Sequence, residues 1–239
     1  MSRPLRICLV GATGLVGSAL VRACAARADV RLVAVSRREL DLPAGARMEV
    51  LLADPGNWGD AIAAARPDTL VSALGTTWAN AGRSEAAIRA VDQQLVLDCA
   101  RWGLAAGAQQ LLLVSSIGAD PTAKALYLRV KGEVEAAAAK LGYGRLDILR
   151  PGLLLGSRTE RRPLEWLGQV VAPLTDRLLH GDLARFRSIS GAMLAEAILA
   201  LGREKARGRF VHEHAALLRA IQRGQRETDL RARTRAAVD

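Results

Sequence analysis

Over the first 150 residues the chain alternates short apolar runs with longer stretches whose apolar positions recur at helical spacing. Residues 7–10, Ile-Cys-Leu-Val, form an apolar run that stops at Gly11, the pattern of a strand buried on both faces. Leu15, Val16, Ala19, Leu20 and Ala23 follow at helical spacing, which predicts a helix over 15–28. Further strands are predicted at 30–35, 48–52, 70–74, 111–114 and 146–149. Helices are predicted over 58–66, from a cap at Ser84 along a buried face of Ile88, Val91, Leu95, Cys99 and Trp102, and from Tyr127 through the alanines at 136–139. Strands separated by helices need crossover connections, so the order implies a parallel, doubly wound α/β sheet.

Pro151 denies the sixth strand its next ladder hydrogen bond and turns the chain off the carboxyl edge of the sheet. Residues 153–190 are then expected to wrap over that edge as a small cap. They mix apolar Leu153, Leu154, Leu155, Trp166, Leu174 and Phe186 with Arg158, Arg161, Arg162, Arg185 and Arg187. That mixture suits a substrate with an apolar body and an anionic end, and equally a packed cap with solvated arginines. Met193, Ala197, Ile198 and Leu201 mark another helix, Phe210 and Val211 a last short strand, and a final helix runs to about Gly224. From Arg219 the chain turns basic and reads as a frayed tail. The expected organisation is a single domain over 1–239, with a core at 1–150, the cap and last elements at 151–218, and the tail at 219–239.

Composition changes this picture little. Half of the 239 residues are hydrophobic but only 3% are aromatic, so the core is built from Ala, Leu and Val. A net charge of +10 would attract any polyanion. Only four of the 34 basic residues are Lys, however, which reads as a chain-wide arginine bias. The aromatics of a single-strand-binding groove are missing, and no specific nucleic-acid binding is expected. Cys8, Cys24 and Cys99 have no paired spacing, and read as small core residues in a reducing compartment. His180, His212 and His214 lack metal spacing, so no metal is expected. No apolar run is long enough to span a bilayer, and the first strand begins too early to leave room for a cleaved signal; the expected location is the cytoplasm.

Candidate chemistry gathers where strands end. Gly11, Gly14 and Gly17 close the first strand and open the first helix. Gly11 would permit the turn, Gly14 the approach of a pyrophosphate, and Gly17 close packing of helix on strand. With Thr13, Leu15 and Val16 they form a candidate dinucleotide cradle at a helix N-terminus. The second strand ends in Ser36, Arg37 and Arg38 where an acidic residue would hold a ribose 2′-hydroxyl. Guanidinium groups there suit a 2′-phosphate, which favours NADP(H) over NAD(H); the competing reading is two solvated arginines. Asp54 after the third strand and Gly75, Thr76 and Thr77 after the fourth lie where open α/β sheets place ligands, as do Pro151 and Gly152. Tyr127 and Lys131 share a helical face at i and i+4, and Ser115 and Ser116 end the preceding strand. A phenol beside an ammonium can pass a proton while a serine hydroxyl holds a carbonyl oxygen and a nicotinamide delivers hydride.

Taken together, G-A-T-G-L-V-G, the serine pair and Y-x-x-x-K resemble the short-chain dehydrogenase/reductase superfamily in its atypical branch. S-S-I-G-A-D at 115–120, Y-L-R-V-K-G-E-V-E at 127–135, L-R-P-G-L-L-L-G at 149–156 and R-x-E-x-R-P at 158–163 are similar to the Tat-interactive-protein-like oxidoreductases, along nearly the whole chain. The resemblance implies a Rossmann-type fold, NADPH and a catalytic Ser116, Tyr127 and Lys131, with Ser115 the alternative serine. In place of the Asn that many superfamily members carry after the fourth strand, this chain has Asp92. That carboxylate either orders water near Lys131 or is an ordinary charge on a helix surface. The resulting expectation is an NADPH-dependent reductase or dehydrogenase acting on a small carbonyl or alcohol. The alternative is an NADP-binding regulatory or redox-sensing module without turnover, with a protein partner or a second copy left open.

Overall fold

The structure is a computed structural model that describes residues 3–156 and 180–236. Arg158, Arg161, Arg162, Trp166 and Leu174 of the expected cap lie outside the described residues, as does the R-x-E-x-R-P stretch.

Seven parallel strands form the sheet, in the order β3-β2-β1-β4-β5-β6-β9. They are β1 (Leu5–Val10), β2 (Val30–Ser36), β3 (Glu49–Leu52), β4 (Thr69–Ser72), β5 (Gln110–Val114), β6 (Arg145–Leu149) and β9 (Gly208–His212). The order reverses between β1 and β4, and at such a switch point the loops at the carboxyl ends diverge and leave a crevice. Alternate residues of β1, β2, β4, β5 and β6 feed separate cores. Ile7 and Leu9 face one way, into a layer with α1 (Leu15–Cys24), α6 (Gly191–Leu201) and α7 (His214–Ala236); Cys8 and Val10 face the other, toward α2 (Trp58–Ala65) and α4 (Val96–Ala105). Burial on both faces explains why the strands read as continuous apolar runs. The three cysteines are buried and unpaired, and burial pushes the thiols of Cys8 and Cys24 up to about 12, so they serve as packing residues.

The sequence reading departs from the structure at particular points. The helix predicted from Ser84 is capped as expected, the Ser84 hydroxyl accepting the Ala87 N–H at 3.3 Å, but it is not continuous. α3 (Glu85–Arg89) passes through a π-helical segment, Ala90–Leu95, before α4. A short parallel pair, β7 (Leu154–Leu155) with β8 (Ile189–Ser190), returns the chain from the sheet edge to α6 and lay outside the reading. The tail predicted to fray from Arg219 is instead helix as far as Ala236. Gly224 allows that helix to approach α6, where a Cβ would lie 2.8 Å from Ala200 Cβ.

Candidate functional site

The site begins where β1 ends. Gly11 has φ +88°, in the left-handed region that glycine enters without strain, and a Cβ there would lie 2.5 Å from the Ala73 backbone. The turn is thus bent and pressed against the end of β4. Gly17 is pressed from the other side, its Cβ position only 2.2 Å from the Gly11 carbonyl oxygen. Between them the Gly14 N–H donates to the Gly11 carbonyl at 3.1 Å, while its own Cβ position meets only Gly11 O at 3.4 Å and Ala73 O at 3.8 Å. The middle glycine therefore borders open space at the start of α1, where first-turn amides have no intrahelical acceptor. Thr13 is exposed beside it. Leu15 and Val16 are buried, and Leu15 packs against Gly156 and Gly191, so what it offers a ligand is its backbone. A cradle that one methyl would fill, backed by free amides, fits a dinucleotide pyrophosphate.

At the end of β2 the buried Ser36 hydroxyl donates to the Arg38 carbonyl at 2.8 Å and accepts the Arg38 N–H at 3.3 Å. This turn leaves Arg37 and Arg38 exposed, and neither guanidinium has a partner among the described residues. Asp54 is exposed beyond β3, before the single turn Pro55–Asn57.

The other half of the crevice is built on α5 (Leu126–Ala138). Tyr127 is 43% exposed, and its hydroxyl has no hydrogen bond among the described residues. The other tyrosine, Tyr143, is half-buried; its hydroxyl donates to the Ala100 carbonyl at 2.6 Å, and loss of solvent holds it above the ordinary phenol range. Lys131 is buried, its Nζ 5.7 Å from the Tyr127 ring centroid, 3.4 Å from the Leu74 carbonyl and 3.1 Å from Asp92 Oδ1. Asp92 is fully buried and also accepts the Thr76 N–H at 2.7 Å. Of its two readings, the surface charge is excluded: the π-helical segment, a form common at functional sites, brings the carboxylate inside.

The serine pair divides. Ser115 is buried and its hydroxyl donates to Glu135, whose carboxylate also receives Arg150 Nε at 3.0 Å and Nη2 at 2.5 Å. Ser116 is half-buried, with only a 3.3 Å hydrogen bond to the adjacent Ile117 carbonyl. The hydroxyl of Ser115 is engaged, and that of Ser116 is the freer of the two. Pro151 is buried and its carbonyl accepts the Ile117 N–H at 3.0 Å, while a Cβ on Gly152 would lie 2.5 Å from the Arg187 carbonyl. Gly152 therefore serves tight packing of the returning chain. Sequence reasoning missed Glu135 and Arg150, although Glu135 stands four residues beyond Lys131 on the same helical face and could have been found by that spacing.

The NAD(P)H-binding family matches residues 11–163, from the first glycine of the cradle past Gly152. The chain belongs to the NAD(P)H-binding family. Its relatives include the protein fmp52, mitochondrial, of Emericella nidulans, 35% identical over 173 residues that span 70% of this chain and 74% of that protein. FMP52, mitochondrial, of Saccharomyces cerevisiae is 34% identical over 186 residues, 77% of this chain and 79% of that protein. Among solved structures the fold is similar to MoeE5 in complex with UDP-glucose and NAD, with TM-score 0.64 and 16% identity over 86% of this chain and 74% of that one. It is similar also to the Bordetella bronchiseptica enzyme WbmG in complex with NAD and UDP, with TM-score 0.63 and 16% identity over 92% and 76%. The Rossmann-type fold and the NAD(P)-binding character of this family member follow. The relatives carry the name Fmp52, not that of the Tat-interactive proteins.

Those relatives overturn the cytoplasmic expectation, since their names place them in mitochondria. Buried unpaired thiols argue against an oxidising compartment and do not choose among reducing ones. Among the described residues no helix is long and apolar enough to cross a membrane.

Proposed function

We propose that this protein is an NADPH-dependent oxidoreductase of the short-chain type, close in motif order to the Tat-interactive-protein-like enzymes, which reduces a small carbonyl compound or oxidises the matching alcohol. The observation that carries this reading is an exposed phenol with a free hydroxyl, one helical turn from a buried ammonium, on the sheet edge that also holds the glycine cradle. Gly11, Thr13, Gly14 and the first-turn amides of α1 would hold the pyrophosphate. Ser36, Arg37 and Arg38, with Asp54 nearby on the same edge, would receive a 2′-phosphate and set the preference for NADP(H). Gly75, Thr76, Thr77, Ser115, Pro151 and Gly152 would border the nicotinamide half. When bound, the nicotinamide supplies or accepts the hydride. Tyr127 gives the proton to the developing alkoxide, Ser116 holds the carbonyl oxygen, and Lys131 holds the ribose and sets positive charge beside the phenol. We place this activity in mitochondria, following the names of the relatives.

A second reading is favoured by one feature: Lys131 Nζ is engaged by Asp92 and the Leu74 carbonyl, and stands 5.7 Å from the Tyr127 ring centroid without a hydrogen bond to the phenol hydroxyl. In that reading the protein binds NADP as a regulatory or redox-sensing module without turnover. A carbonyl panel followed by nicotinamide absorbance separates the two. With a reduced substrate in hand, Tyr127→Phe should lower kcat by about 10²- to 10⁴-fold and leave the Kd for NADPH within about twofold. Normal turnover by Tyr127→Phe refutes the mechanism, and tight NADPH binding with no carbonyl reduced favours the module.

A further inference from the structure

Asp92 has no exposed surface, and its two oxygens face different partners. Oδ2 accepts the Thr76 N–H at 2.7 Å; Oδ1 lies 3.1 Å from Lys131 Nζ as a charge contact without the alignment of a hydrogen bond. The other neighbour of that ammonium is the Leu74 carbonyl, so both groups are tied to one turn, residues 74–76. A Cβ on Gly75 would sit 3.5 Å from Asp92 Oδ1 and 3.9 Å from Lys131 Nζ, which puts the turn directly over the pair. The Lys131 side chain is only 5% exposed. A long flexible amine buried to that degree needs both a counter-charge and a fixed direction, and Asp92 is the one carboxylate in contact with it among the described residues.

We propose that Asp92 is a positioning residue: its carboxylate, where an amide of the same shape would not suffice, pins Lys131 Nζ and the 74–76 turn in one arrangement before any cofactor arrives. The proposal rests on the reading above only in taking Lys131 to meet the cofactor ribose; the pinning itself does not depend on turnover. Two donors of the nicotinamide half, the Lys131 ammonium and the backbone of the 74–76 turn, are then set by one buried side chain carried on the π-helical segment.

Asp92→Asn keeps the shape and an acceptor for the Thr76 N–H while removing the charge. With four lysines in the chain, amine acylation read by peptide mass spectrometry follows each one separately. Lys131 should react about tenfold more slowly than exposed Lys124, Lys140 and Lys205 in the unmodified protein, and about fivefold faster in Asp92→Asn with Lys140, just past the same helix, unchanged. An unchanged Lys131 rate overturns the proposal, and so does a rise that Lys140 shares, which would mark general loosening. A double-mutant cycle with Lys131→Met, read by titration of NADPH fluorescence, gives the second test. Asp92→Asn should weaken NADPH binding about tenfold when Lys131 is present and leave it nearly unchanged when Met replaces it. Equal losses in both backgrounds would mean that Asp92 acts only through the fold, and would overturn the proposal. Absence of turnover on every carbonyl tried sinks the oxidoreductase reading and leaves both results standing.

Discussion

Alanine at Gly14 and at Gly17 should separate cofactor binding from folding. At Gly17 the new Cβ would lie 2.2 Å from the Gly11 carbonyl oxygen and 2.7 Å from Ala12 Cα, atoms of a backbone wedged between β1 and β4. The clash is with main chain, so relief comes only by lifting α1 and the buried Leu15, Val16 and Leu20 it carries. Overpacking of this kind costs about 1–3 kcal/mol, and a rigid opposing backbone puts Gly17→Ala at the upper end. At a chain of this size each kcal/mol lowers Tm by about 2–4 °C. Gly14 differs: φ −75° and ψ 170° suit any residue, and the nearest atoms to its Cβ position stand at 3.4 and 3.8 Å. Gly14→Ala should therefore keep stability or gain about 0.4–1 kcal/mol from a stiffer unfolded chain. Its methyl occupies the space a pyrophosphate needs, and losing one or more charge-assisted amide bonds of about 1.5–3 kcal/mol predicts at least a tenfold weaker Kd. Thermal unfolding with and without NADPH reads both effects. NADPH should raise the Tm of the unmodified protein; Gly14→Ala should melt normally without cofactor and lose that rise, and Gly17→Ala should melt low in both conditions. A Gly14→Ala protein that binds NADPH as tightly as the parent would place the pyrophosphate elsewhere and refute the cradle.

Exposed and without partners among the described residues, Arg37 and Arg38 should make the protein prefer NADPH to NADH, and replacing both with alanine should cut that preference at least tenfold in paired fluorescence titrations. Added salt should weaken NADPH binding more than NADH binding, and equal affinities in the parent would refute the assignment. Asp147 sets an acid limit on stability. Burial alone would raise its pKa, but hydrogen bonds from His212, Arg145 and Gln110 prevail and hold it below the ordinary carboxylate value. Because the folded value lies below the unfolded one, its contribution is present above about pH 4 and is lost as pH falls through the folded value. Asp147→Asn should cost about 3–5 kcal/mol at neutral pH by stranding buried Arg145, and should flatten stability below about pH 4 in guanidinium unfolding; an unchanged acid limb would refute this.

The parallel sheet and the edge that carries the candidate site were legible because the inner strands β1, β2, β4, β5 and β6 are largely buried and end at or beside a glycine, serine or proline whose backbone chemistry is specific. Side-chain direction was less legible. Ile88, Val91, Leu95, Cys99 and Trp102 keep a single helical period through 90–95, so no apolar position marks the wider π turn that carries Asp92 inward. Adjacent Ser115 and Ser116 could not be told apart by type; they part because one is buried against Glu135 and Arg150, charges that lie 20 and 35 positions further on. α7 runs on past Gly224 without an apolar stripe to mark it. Alanine and arginine there favour helix through backbone propensity, and residues 225–230, Leu230 among them, are exposed.

Tyr127, Lys131 and Glu135 form a ladder on one face of α5, and its rungs are tied to three separate strand ends. Lys131 reaches the turn after β4 through Asp92 and the Leu74 carbonyl, and Glu135 joins Ser115 at the end of β5 to Arg150 at the end of β6. Gly132, between them, lets the helix press on the 120–121 backbone, where a Cβ would come within 2.3 Å of Asp120 C. With its lower rungs fixed by buried charge and its backbone held by that contact, the helix determines where Tyr127 stands, although the phenol hydroxyl has no hydrogen bond among the described residues. Under the proposed function, a proton donor placed this way owes nothing to the substrate. Under the same proposal, discrimination among carbonyl compounds falls to the chain that leaves the sheet after Pro151, anchored where Gly152 meets the backbone of Phe186 and Arg187. Exchanging the residues that follow Gly152 should change which carbonyl is reduced and leave the Tyr127→Phe defect the same size, a separation that kcat/KM across a substrate panel measures directly.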